Sequence, residues 1–165
     1  MPSGHSFKAG DHAVYPGYGV GKIKSIEVKE IMGSKHSFYN FEVQGSGTKI
    51  MIPQSKVNSV GLRPIISKKE ANEVIDILKE KNVKIDQQTW NRRYREYLEK
   101  IKTGSVYEIA RVLRDLYLLK VDKELSFGEK RMLNTARSLL LKELVLAKGD
   151  EELKKEKEVA AIFEL

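Results

Sequence analysis

The densest group of chemically capable residues is Thr89-Trp90-Asn91-Arg92-Arg93-Tyr94-Arg95-Glu96-Tyr97, which holds the chain's single tryptophan. A large apolar ring among guanidinium groups can enter a groove of DNA. The arginines then grip phosphates while the ring presses on base edges or a base step. The competing reading makes Trp90 the anchor of a helical core and the arginines a solvated face. At 100° per residue, Arg92, Arg93 and Arg95 span about 300° of a helix, so they cannot all lie on a buried side. A second group, Phe127-Gly128-Glu129-Lys130-Arg131, opens another helix. Its first amides offer a phosphate contact, with simple capping as the alternative. A third feature is Thr48-Lys49-Ile50-Met51-Ile52-Pro53, a short apolar strand ending in a residue that cannot donate to a ladder. Such a strand suits a sheet edge, either open to a strand of another protein or blunted by Pro53 against that pairing.

Other chemistry is sought in vain. His5, His12 and His36 have no metal-ligand spacing, and the chain has no cysteine, so thiolate chemistry is excluded and neither metal nor cofactor is expected. Tyr15-Pro16-Gly17-Tyr18-Gly19-Val20-Gly21 lacks the ending of a P-loop and the context of a dinucleotide fingerprint, and reads as a tight turn. No two carboxylates are set in an apolar pattern for acid–base work, so a binding protein rather than an enzyme is expected.

The elements that must position these groups fall into two kinds. Up to residue 66 the chain alternates short β patterns with glycine-rich turns: His12 to Tyr15, Val20 to Val28, Ser37 to Val43 and Thr48 to Ile52, with a last strand expected within 57–62. Gly21 suggests a bend or bulge, and Met32-Gly33-Ser34-Lys35 a turn. The pattern predicts a small, strongly bent barrel. From Ser67 onward the spacing is helical. Capping boxes are predicted at Ser67/Glu70, Ser105/Glu108 and Ser126/Glu129, and Gly104 and Gly149 sit where helices end. Five helices are expected, near 68–81, 87–103, 106–121, 127–148 and 151–163. The fold class is therefore α+β in two domains: a small Tudor/SH3-like β-barrel over 1–66, and a compact all-α bundle over 67–165.

The formal charge of +7 is unevenly spread. Residues 1–66 carry 8 Lys+Arg against 4 Asp+Glu, residues 67–149 carry 19 against 13, and the stretch from Asp150 carries 3 against 6. A basic body with an acidic end suits a polyanion partner. No apolar run is long enough to span a bilayer and the first residues lack a secretory pattern, so a cytoplasmic protein without membrane association is expected.

Taken together in order, Phe7-Lys8-x-Gly10-Asp11-x-x-Val14-Tyr15-Pro16, Ile52-Pro53, Val60-Gly61-Leu62-Arg63, Trp90-Asn91-Arg92-Arg93-Tyr94 and Leu125-Ser126-Phe127-Gly128-Glu129-Lys130-Arg131-Met132-Leu133 make a pattern covering nearly the whole chain. This resembles the CarD/CdnL family of bacterial transcription factors, most closely its short CdnL type. The resemblance implies a Tudor-like barrel that binds the β subunit of RNA polymerase. It also implies a helical domain that contacts promoter DNA near the −10 element, with little sequence preference, in the housekeeping sigma holoenzyme. The protein would act as a monomer, associated with the nucleoid through the polymerase, and would stabilise the open promoter complex. Trp90 matches the family's wedge in the minor groove at the upstream edge of the bubble, with Asn91, Arg92, Arg93 and Arg95 around it and Phe127, Lys130 and Arg131 as further DNA contacts. Lys29, Ile50, Met51, Ile52 and Pro53 match the polymerase-facing strand region. Lys29 and Met51 stand where some relatives carry Arg, and Arg95 where some carry Lys. A polymerase-independent architectural DNA binder and a protein–protein adaptor are the alternative functions, and the β part also resembles the polymerase-binding module of the transcription–repair coupling factor.

Overall fold

The computed structural model describes residues 5–85 and 89–165, and the chain divides into two compact units at Ile65/Ile66. The α+β, two-domain class is what it shows. In the first unit, β1 (His12–Tyr15), β2 (Gly19–Ile31), β3 (Ser34–Val43), β4 (Lys49–Pro53) and β5 (Arg63–Pro64) form one antiparallel sheet in the order β4-β3-β2-β1-β5. Its core gathers Phe7, Ala13, Ile23, Tyr39, Phe41, Val43, Ile52, Val57 and Leu62. Phe7 is held edge-on against Tyr39, and its amide donates to the Tyr39 hydroxyl at 3.1 Å. The Tyr15–Gly21 stretch is the expected tight turn, with Gly17 and Gly19 at positive φ.

Two local expectations in this unit are corrected. The ladder slips between Ile23 and Ser25, not at Gly21. Gly21 is small for another reason: the Phe41 ring and the Glu42 carbonyl occupy the space a Cβ would need. Within 57–62 there is no strand but a helical turn, α1 (Val57–Val60), closed by Gly61 at φ 77. This arrangement buries both Val57 and Leu62, which one short strand could not direct to the same face. The last strand falls on Arg63–Pro64, paired with β1.

The second unit is built from α2 (Lys68–Lys79), α3 (Trp90–Lys102), α4 (Val106–Asp122), α5 (Phe127–Lys148), α6 (Asp150–Lys155) and α7 (Lys157–Phe163). That is six helices among the described residues where five were expected, because the last one breaks at Glu156 (ψ 90). Glu156 there meets the Lys79 ammonium at 2.6 Å, and the break lets Leu153 on one side and Val159, Ile162 and Phe163 on the other reach the same core. The helix expected from 87 begins at Trp90 in the structure; residues 87 and 88 lie outside the described residues. Two capping boxes close in both directions, Ser67 with Glu70 and Ser126 with Glu129. The third closes halfway. The Ser105 hydroxyl accepts from the Glu108 amide, but the Thr103 hydroxyl takes the Ser105 amide and Glu108 pairs with Arg111 instead. The buried carboxylate of Glu143 accepts the Ile66 amide at 3.0 Å, tying the start of the unit to α5. No helix of the described residues is long and apolar enough to cross a membrane.

Candidate functional site

In the helical unit, α3 carries its apolar residues on one side. Tyr97 and Ile101 are buried, while Tyr94 is 42% exposed. Asn91, Arg92 and Arg95 are all exposed, and at i, i+1 and i+4 they share one open face. Trp90, the first residue of the helix, is half-buried: its ring lies edge-on to Tyr94 at 5.7 Å and tilted against Tyr97 at 6.3 Å. The tryptophan is therefore neither a free wedge nor a sealed core residue. Part of it rests on the core and part faces solvent.

The arginines separate into two roles. Arg93, expected among the DNA contacts, turns inward and is 8% exposed. Its guanidinium lies over the Trp90 ring, 5.4 Å from the centroid, and reaches the Glu129 carboxylate at 3.3 Å. A cation held between a ring and a buried carboxylate braces the face of the tryptophan. Arg92 and Arg95 remain on the exposed face.

The structure brings the second group to the first. At Gly128 a Cβ would fall 2.9 Å from Trp90 Nε1 and 3.4 Å from two other indole atoms, so the start of α5 lies directly against the ring. Phe127 beside it is 82% exposed, and with Lys130, Arg131, Asn134, Thr135, Ser138 and Leu139 it lines an open groove along α5. Lys130 is exposed and only 3.7 Å from Glu124, a loose surface pair. Glu129 was not anticipated beyond its capping role. It is 2% exposed, and its carboxylate receives the Ser126 amide at 2.9 Å, the Lys123 ammonium at 3.4 Å and the Arg93 guanidinium at 3.3 Å. Burial by itself would raise this carboxyl, but the Ser126 hydrogen bonds and the Lys123 charge together hold it below the usual carboxylate range. A buried acid with an arginine thirty-six residues away has no local sequence signal.

In the β unit, β4 is an end strand, paired with β3 only. Met51 lies opposite Asn40, and Asn40 opposite Ser25; Pro53 lies opposite Phe38, and Phe38 opposite Glu27. Side chains on cross-strand partners point to the same side and alternate along a strand. Lys29, two residues beyond Glu27 and opposite His36, therefore shares the face of Met51 and Pro53. Met51 is 43% exposed on that face, while Ile50 and Ile52 turn towards the barrel core, Ile52 fully buried there. Of the five expected docking residues, Lys29, Met51 and Pro53 present side chains to one surface, whereas the two isoleucines seat the strand. Among the described residues, no cluster of His, Cys, Asp or Glu is arranged to hold a metal ion.

The CarD-like/TRCF RID domain description matches residues 7–66, and the CarD, C-terminal domain description matches residues 73–160. The chain belongs to the CarD family. A Bacillus subtilis (strain 168) protein, the "Putative transcription factor YdeB", is 37% identical over 144 residues, covering 87% of this chain and 93% of its own. The N-terminal domain of CdnL from Myxococcus xanthus shares 52% identity over 41% of this chain and 94% of its own, with a TM-score of 0.33. The N-terminal domain of Myxococcus xanthus CarD shares 36% over 39% and 89%, with a TM-score of 0.31. In this CarD-family chain, both matched regions contain one of the two surfaces just described.

Proposed function

We propose that this CarD-family chain is a transcription initiation factor that docks on the RNA polymerase β subunit and stabilises the open promoter complex. The β4 edge adds a strand of the β subunit, with Lys29, Met51 and Pro53 on the contacting face. Docking raises the local concentration of the helical unit at the promoter, so weak DNA contacts there become effective. Trp90 enters the widened minor groove at the upstream edge of the bubble, and Asn91, Arg92, Arg95, Lys130 and Arg131 meet the phosphates, with Phe127 as a second apolar contact. Rewinding must expel the ring, so closure is disfavoured; a bias of ~1.4 kcal/mol changes the open population about tenfold. Sequence preference is small because phosphates carry none and the minor-groove code is degenerate. The observation that carries this reading is the convergence of the α3 and α5 starts. A partly exposed indole stands beside Gly128, with exposed cations on both helices. The deciding experiment is the half-life of competitor-challenged open complexes formed by sigma holoenzyme with and without saturating protein. Lengthening is expected, and equal half-lives reject the function.

A further inference from the structure

Gly128 occupies the first turn of α5, a position where its backbone needs no glycine. Alanine there would favour the helix by up to about 1 kcal/mol. The local preference is overridden by space alone, since an alanine methyl would stand 2.9 Å from Trp90 Nε1. A glycine that goes against local preference in this way marks a packing or functional constraint. Over the face of the ring, Arg93 lies 5.4 Å from the centroid and is itself held by Glu129, whose second oxygen caps α5 through the Ser126 amide. The same short segment thus provides a gap for one edge of the indole and, through Arg93, a clamp on its face.

We propose that Gly128 and Glu129 are positioning residues that fix the pose of the Trp90 ring for entry into the DNA fork. This rests on the wedge function proposed above and adds the means of preorganisation. Holding a large side chain in its bound pose before encounter spares the ordering cost at the moment of binding. With a methyl at residue 128 the ring is pushed off its seat, and it meets DNA in a spread of orientations. Without the Glu129 charge, Arg93 loses its anchor and the ring loses its face clamp.

Trp90 is the chain's single tryptophan, so its fluorescence reports the seat directly. Gly128→Ala and Glu129→Gln are measured in the full-length protein for emission maximum and acrylamide quenching, for β-subunit binding, and for open-complex half-life. Glutamine keeps the capping-box acceptor and removes only the charge, so Glu129→Gln separates the clamp from the helix cap. Both variants should shift emission to the red and quench more readily. Both should bind the β subunit as wild type and shorten the open complex about tenfold, equivalent to ~1.4 kcal/mol. Gly128→Ala combined with Trp90→Ala should be no worse than Trp90→Ala alone. Wild-type emission and half-life in Gly128→Ala would overturn the proposal, as would altered emission with an unchanged half-life. A Trp90→Ala variant with a full half-life rejects the wedge itself, an outcome distinct from a working wedge that tolerates alanine at 128.

Discussion

Removing the indole should affect two quantities, the stability of the helical unit and, on the function proposed above, the lifetime of the open complex. Trp90 packs against the core of the helical unit through Tyr94 and Tyr97 and accepts the Arg93 cation on its face. A tryptophan buries roughly 150–250 Å² when enclosed. With most of the residue covered, Trp90→Ala loses roughly 150 Å² of buried surface, which at ~25 cal/mol/Å² is about 4 kcal/mol. The lost cation–π contact adds about 0.5–1 kcal/mol, and alanine's better helix propensity offsets about 0.5 kcal/mol. The net destabilisation of the helical unit is thus about 4 kcal/mol, or a fall in Tm of roughly 15–30 °C for a unit of this size. Thermal unfolding followed at 222 nm, where the helical unit dominates, reads that change. The β unit has its own core and should bind the polymerase β subunit unchanged. Well below the lowered Tm, the solvent-facing part of the ring is then tested alone: the open complex should decay about tenfold faster than with wild type, a difference of ~1.4 kcal/mol. An unaltered Tm would refute the packing of the ring. A lowered Tm with full open-complex half-life would confine Trp90 to a structural role.

Other outcomes follow from the same geometry. Met51→Asp places a charge on the exposed face of β4 without touching the buried Ile52; pull-down with the β subunit should fail while the melting curve stays within ~0.5 kcal/mol of wild type, and normal binding would move the interface elsewhere. Arg92→Ala and Arg95→Ala should each flatten the salt dependence of promoter binding by about one unit of log–log slope, measured by anisotropy over a salt series. Arg93→Ala should instead lower stability, because it leaves the Glu129 carboxylate without its guanidinium partner; a slope change without destabilisation would place Arg93 on the DNA. The Glu129 carboxyl is held below its ordinary value in the folded chain, so its stabilising contribution is complete above the unfolded carboxylate pKa. It is lost as pH falls through the lower folded value. Acid titration of Trp90 fluorescence should therefore show a transition below the ordinary glutamate range that Glu129→Gln abolishes; an identical titration in that variant would contradict the assignment.

Periodicity and punctuation carried much of the architecture. Ala71, Val74, Ile75 and Leu78 on α2 are all buried, as their 3–4 spacing requires, and serine–glutamate pairs mark the starts of α2 and α5 in both directions. These signals are legible because each arises within one or two helical turns. Ser105/Glu108 shows the limit of such reading: an equally good local pattern is only half realised because Thr103 and Arg111 compete for its two partners. The same holds for Gly21, whose meaning depends on a phenylalanine from the next strand.

By itself the chain determined its division into β and helical parts, the edge position of the strand through Met51, and the inventory of an indole with cations on two helix starts. Those follow from local backbone preferences and from the rule that a repeating apolar stripe must be covered. Only the tertiary structure decided which of three neighbouring arginines turns inward, that the starts of α3 and α5 meet at Trp90 and Gly128, and that Lys29 and Met51 share a face across three strands. Pairings of that kind depend on helix crossing and strand register, which are set by packing over the whole unit and cannot be read from the local spacing of the residues they bring together.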